Sequence, residues 1–133
     1  MKKCFFAFLL FVGTLSAMAQ ETTEMQQVIA KHDELMEKMP GLVKLINKLQ
    51  TAAQNSEDQA KYELAIEDLR TANKSMQNWM IGFGKRFDAD EMMKGKKLTA
   101  QKKEWLQEEK TKILVLDKEI NNSIDEAKTL LPE

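Results

Sequence analysis

The sequence predicts an all-α chain: an elongated, antiparallel up-down-up three-helix bundle with coiled-coil-like heptad packing. Three observations carry that expectation. Glycine and proline are scarce, five and two among 133 residues, whereas Lys, Glu, Gln, Ala, Leu and Met abound, which is the composition of long helices. Apolar residues recur at alternating steps of three and four along three separate stretches. Each stretch spans about 30 residues, or roughly 45 Å of helix, so the three can lie side by side.

Residues 1–19 stand apart from this pattern. Lys2 and Lys3 supply a positive start, Phe5 to Val12 is an unbroken apolar run, and Ala17-Met18-Ala19 has the small-x-small form that a signal peptidase accepts. Cleavage is expected between Ala19 and Gln20. The apolar run is too short to span a bilayer, and no later segment is long enough. Cys4 precedes the run, whereas a lipid-attachment cysteine would have to follow it. The expected mature chain is one domain, residues 20–133, periplasmic or secreted, with no cysteine and no disulfide. Small exported domains often rely on disulfides; here packing alone must hold the fold. Loss of two lysines with the leader moves the net charge from −1 to −3, far from the basic footprint of a nucleic-acid binder.

The first helix is expected over approximately 23–53. Its seam is Met25, Val28, His32, Leu35, Met39, Leu42, Ile46, Leu49 and Ala53, and Thr23 with Gln26 makes a capping box at its start. Pro40 and Gly41 interrupt the composition but not the phase of the seam. A continuous, kinked helix is therefore expected, since a proline in a helix interior costs about 3 kcal/mol and packing can offset it. Two shorter helices are the alternative. The second helix, approximately 57–82, carries Tyr62, Ala65, Leu69, Ala72, Met76, Trp79 and Phe83, opened by Ser56 with Gln59. The third, approximately 99–131, starts at Thr99 as N-cap. It runs through Leu106, Ile113, Leu116, Ile120, Ala127 and Leu130, with Glu109 and Ser123 as polar interruptions and Pro132 as terminator. A tight turn near Gln54–Ser56 makes the first pair antiparallel. The Gly82–Leu98 connection is longer than most helix–helix loops, and such loops are often functional or mobile.

Signals for catalysis are absent. The mature chain has one histidine, no cysteine, no Gly-x-Ser-x-Gly elbow and no glycine-rich phosphate loop. Its carboxylates sit beside lysines, as in Glu34 with Lys38 and Glu108 with Lys112, the usual pattern of a solvated helix face. A di-iron motif fails because Ile29 stands three residues before His32. A calcium loop opening at Asp88 and Asp90 fails because Met93 and Thr99 occupy its glycine and glutamate positions. The chain is expected not to be an enzyme and to use no cofactor.

Two constellations are candidates for binding. Pairing the first two helices about residue 55 brings His32 and Met36 to the level of Met76 and Met80, with Trp79 and Trp105 beside them. One imidazole and several thioethers form a soft site suited to Cu(I) or Ag(I), and an indole can face the bound cation. The competing expectation is that the methionines fill gaps in a core. In the Gly82–Leu98 loop, Phe83, Phe87, Met92 and Met93 alternate with Lys85, Arg86, Lys94, Lys96 and Lys97, a pattern suited to a partner or an anionic surface. Alternatively, the two phenylalanines fold back over the bundle end.

The clusters His32-Asp33-Glu34-Leu35-Met36-Glu37-Lys38-Met39 and Ala72-Asn73-Lys74-Ser75-Met76-Gln77-Asn78-Trp79-Met80 resemble a family of small exported or lipid-anchored helical proteins of Gram-negative bacteria, often labelled "viral A-type inclusion protein". The similarity covers about residues 24–131 and implies a helical fold, and no activity is assigned to the family. Members with a lipid-attachment cysteine would be membrane-anchored; this chain departs from them there. Leu98-Thr99-Ala100-Gln101 is similar to the Leu-Thr-x-x-Gln motif of small helical periplasmic chaperones, one residue short and in one copy. Capping by Thr99 accounts for it equally well.

The leading expectation is an exported, non-enzymatic binding or envelope-associated module. It would act as a monomer or weak homo-oligomer on an unknown protein or envelope component, without nucleic acid and without a transmembrane segment. A soft-metal binding protein and a chaperone-like holdase are the alternatives. Mass spectrometry of protein from the envelope fraction should find a chain beginning at Gln20; retention of Met1 to Ala19, or a lipid-modified start, would refute export by this route.

Overall fold

The computed structural model describes residues 12–132. The charged start of the expected leader and most of its apolar run lie outside the described residues. Four helices pack together and no strand is present among the described residues: α1 (Val12–Gln54), α2 (Gln59–Arg86), α3 (Ala89–Met93) and α4 (Ala100–Thr129). No helix there is long and apolar enough to cross a membrane.

Helix α1 is continuous through Pro40. The proline ring removes the bond that Met36 C=O would otherwise accept, and the buried Leu35, Met39 and Leu42 on the same face hold the turn in place. Among the described residues the helix already runs from Val12, so Thr23 lies inside it and is not a cap. Good helix formers on both sides of Gln20 leave nothing to stop it. At the other end, Ser56 Oγ accepts from Asp58 N at 3.0 Å and shapes the turn into α2. Helix α4 starts as expected: Thr99 Oγ1 accepts from Lys102 N at 3.2 Å.

The connection after Gly82 departs from the expected loop. Helix α2 continues four residues further to Arg86, because Phe83 and Phe87 are both buried and each recovers about 1.5–3 kcal/mol on burial. That outweighs the roughly 1 kcal/mol cost of a helical glycine such as Gly82 or Gly84. Lys85 and Arg86 in the last turn suit the negative end of the helix dipole. The short α3 follows at once, opened by a capping box in which Asp88 Oδ1 accepts from Glu91 N and Glu91 Oε2 accepts from Asp88 N, both at 2.9 Å. Gly95 then turns the chain with φ +68°, a conformation L side chains rarely adopt, and its backbone lies against Thr22 of α1.

The three long helices all pack on one another, and α3 rests on α1. Polar contacts between α1 and α4 climb in step: Glu21 with Lys103, Gln107 Nε2 donating to Glu24 at 2.5 Å, and Lys38 Nζ donating to Asn121 at 2.8 Å. Between α2 and α4 they run oppositely, with Ser75 Oγ donating to Glu119 at 2.9 Å and Arg86 Nη1 to Glu108 at 2.5 Å. Helix α2 is therefore antiparallel to both of its neighbours. The core follows the expected seams, with Leu35, Leu42, Leu49, Leu69, Leu106, Ile113 and Ile120 all fully buried, while His32, Ile46, Tyr62 and Leu130 are half-buried at its margins. Ile66, Ile124 and Leu98 join the core from positions outside the seams.

Leu69→Ala and Ile113→Ala should each destabilise the protein by about 2–5 kcal/mol in chemical denaturation. A change below about 1 kcal/mol at both positions would mean that these side chains are not the centre of the core.

Candidate binding groove between α2 and α4

Ser75, Asn78, Trp79 and Gly82 recur at helical spacing and share one face of α2. With Glu109, Lys112, Val115, Leu116 and Glu119 of α4 they line an open cavity of about 480 Å³. Gly82 keeps it open: a Cβ there would meet nothing within 4 Å. The Ser75–Glu119 hydrogen bond closes one end.

The other end is built around Glu109, a carboxylate only 2% exposed. It accepts from Lys112 Nζ at 2.9 Å and from Arg86 Nη1 at 3.0 Å. Arg86 also pairs with Glu108 at 2.5 Å and lies over the Trp105 ring, 5.2 Å from its centroid. A buried charge without such partners would cost several kcal/mol, so the ion pairs fix how the C-terminal end of α2 sits on α4. The cavity wall is Trp79, whose ring stacks on His32 at 5.8 Å and on Phe83 at 4.9 Å; Phe83 in turn meets Phe87 at 4.9 Å. Trp79 Nε1 is buried and finds no acceptor among the described residues, a state that costs about 1–3 kcal/mol and is uncommon in folded proteins.

The residues expected at a soft-metal site divide. His32 and Trp79 meet, as their ring stack shows. Met76 is sealed in the core at 1% exposure, whereas Met36 and Met80 are 37% and 40% exposed. Trp105 is not beside them. The Ser75–Glu119 and Arg86–Glu108 contacts set a register that places Trp79 opposite Val115 and Trp105 opposite Ala89. Ten helical residues separate those levels, about 15 Å. Trp105 sits at a different level because α3 and the extended α2 shift the start of α4.

The expected interaction loop is largely closed. Phe83 and Phe87 are buried, Met92 is half-buried against the core, and Met93 alone of the four stands out at 77% exposure. Three of its basic residues are paired: Arg86 with Glu108 at 2.5 Å, Lys94 with Asp90 at 2.7 Å and Lys96 with Asp88 at 2.9 Å, while Lys102 of α4 meets the buried Glu91 at 2.6 Å. Among the described residues no group of three His, Cys, Asp or Glu side chains is placed to hold a metal ion. Sequence reasoning missed the groove itself, although Glu109 interrupting an apolar seam and Gly82 on an otherwise larger face were its visible signals. Comparison of the chain with protein-family models, with curated proteins and with solved structures finds no match.

The Asp88–Lys96 pair beside α3 ties a local stability contribution to pH. The Lys96 ammonium, and then the Glu91 backbone N–H, hold the Asp88 carboxyl below the ordinary aspartate value. The hydrogen bond to Asp88 raises Lys96 above the ordinary lysine value. Asp88 therefore contributes stability above the ordinary carboxylate range, lost as pH falls through its depressed value; the contribution of Lys96 is complete below the ordinary lysine range and lost as pH rises past its raised value. Asp88→Asn keeps the cap and removes the charge. The gap in denaturation midpoint between parent and variant should narrow as pH falls through the carboxylate range; a constant gap would exclude this ion pair as the cause.

Proposed function

We propose that this chain is an exported, non-enzymatic binding module of the bacterial envelope, periplasmic or released, related to the small helical proteins its two clusters resemble. It works as an up-down-up bundle whose heptad seams interlock in coiled-coil fashion and hold the α2/α4 groove in shape. The single observation that carries this reading is that cavity of about 480 Å³ with Trp79 as its wall. Its size falls in the range of roughly 300–1,000 Å³ typical of binding sites, and its mixture of apolar wall and a few placed polar groups is the usual composition of one. The partner is an envelope protein that inserts an apolar side chain between Trp79 and Val115, with Lys112 and Glu119 at the rim.

A holdase draws less support. Val43, Leu64, Met93 and Val115 are exposed on four different helices, and the exposed pairs Met80–Ile81 and Leu114–Val115 are small beside the contiguous apolar patch that client capture needs.

A photo-crosslinking residue at Val115, expressed in the source bacterium, should give a discrete protein adduct that the same residue at Leu64 does not. Gly82→Leu, which has room for its Cβ, should abolish the adduct and leave the melting temperature unchanged. Equal adducts from both positions, or an adduct indifferent to Gly82→Leu, would overturn the groove as the binding site.

A further inference from the structure

The α1/α2 seam flanks Trp79 on the side away from the groove, and it brings three soft donors to one level. Two independent registers fix that level. The α2/α4 contacts place Trp79 at the level of Val115, the α1/α4 contacts place His32 at that same level, and the His32–Trp79 stack agrees with both. Met36 lies one turn beyond His32 on the same face of α1, and Met80 follows Trp79 on α2.

Side chains on a helix lean towards its N-terminus. Because α1 and α2 run in opposite directions, Met36 leans towards the level of His32 while Met80 leans back towards the level of Leu35. The two side chains are thus directed into the same stretch of seam from opposite ends. Both are accessible, at 37% and 40% exposure, whereas Met76 at 1% belongs to the core.

The imidazole is already oriented. His32 Nδ1 lies 2.8 Å from Asp33 Oδ1. A carboxylate can only accept, so the proton is on Nδ1 and the Nε2 lone pair is free in the neutral ring. A carboxylate behind the imidazole is the arrangement that holds a metal-ligating histidine in place.

We propose that His32 Nε2, Met36 Sδ and Met80 Sδ form a three-coordinate site for a soft monovalent cation, Cu(I) or Ag(I), with Asp33 orienting the imidazole and Trp79 as the indole beside the bound ion. Two neutral thioethers and one imidazole suit such cations and are poor ligands for Ca²⁺, Mg²⁺ or Zn²⁺. The stacked indole lies beside the imidazole ligand, where its emission reports on the site. Met76 takes no part. The site is independent of the groove, so the failure of either leaves the other standing.

The test uses the purified chain carrying Cys4→Ser and Trp105→Phe, so that no thiol competes and Trp79 is the sole indole. Titration with Ag(I) should quench Trp79 emission and saturate at one equivalent. Competition against a Cu(I) chelator under reducing conditions should give the same stoichiometry. Met36→Leu and Met80→Leu, conservative changes at half-exposed helix positions, should each weaken binding at least about tenfold, and Asp33→Asn about 10–100-fold. Met76→Leu should leave it unchanged. Binding no tighter than that of free methionine, unaltered affinity in both Met36→Leu and Met80→Leu, or loss of binding in Met76→Leu would overturn the proposal.

Discussion

Each long helix carries one apolar stripe, and no stripe can be buried unless the other two meet it in a single register. With a single cysteine in the chain no internal disulfide can form, so this mutual burial is what holds the fold. Its consequence is visible at the level of His32, Trp79 and Val115, where three separate pairwise registers agree. A slip of any one helix by a turn would break two of the three contacts Ser75–Glu119, Lys38–Asn121 and the His32–Trp79 stack at once. Pro40 survives inside α1 for the same reason: the buried residues on either side hold the helix axis, and the missing hydrogen bond is a local loss.

Burial alone does not choose between neighbouring registers, because aliphatic side chains tolerate small shifts. Two buried carboxylates supply the choice. Glu109 and Glu91, 2% and 5% exposed, must each meet a cation, since an unpaired charge in the interior costs more than the pair gains. Arg86 and Lys112 answer the first and Lys102 the second. Together they fasten the end of α2, the short α3 and the first turns of α4 to one another. The segment between α2 and α4 is a built corner, with a capping box, a glycine turn and paired lysines.

Trp79 joins the structural and functional readings. One side of the residue walls the α2/α4 groove and the ring stacks on the imidazole of the α1/α2 seam. It also begins an aromatic ladder that continues through Phe83 to Phe87, so its position is set by the core and not by either site. That rigidity suits a wall, since a side chain held by stacking on two neighbours needs no reordering when a partner arrives.

The all-helical class, the continuity across Pro40, the N-cap at Thr99 and nearly every central core residue were legible in the sequence, because they follow from the period of apolar residues, the composition and local capping chemistry. Helix ends were less so. Gly82 and Gly84 read as a stop, yet the burial of Phe83 and Phe87 against other helices carried α2 past them, a gain that local propensity cannot register. The candidate sites were legible only in part. His32 and Trp79 were placed together by an antiparallel count along two helices joined by a short turn. Trp105 was misplaced because its level depends on the path of the α2–α4 corner. That Met76 is core while Met36 and Met80 face outward was decided by tertiary structure, as was the partnership of Glu109 with Arg86. One period along a helix tells which residues share a face, but which neighbour that face meets, and at what height, is settled only when all three stripes are buried at once.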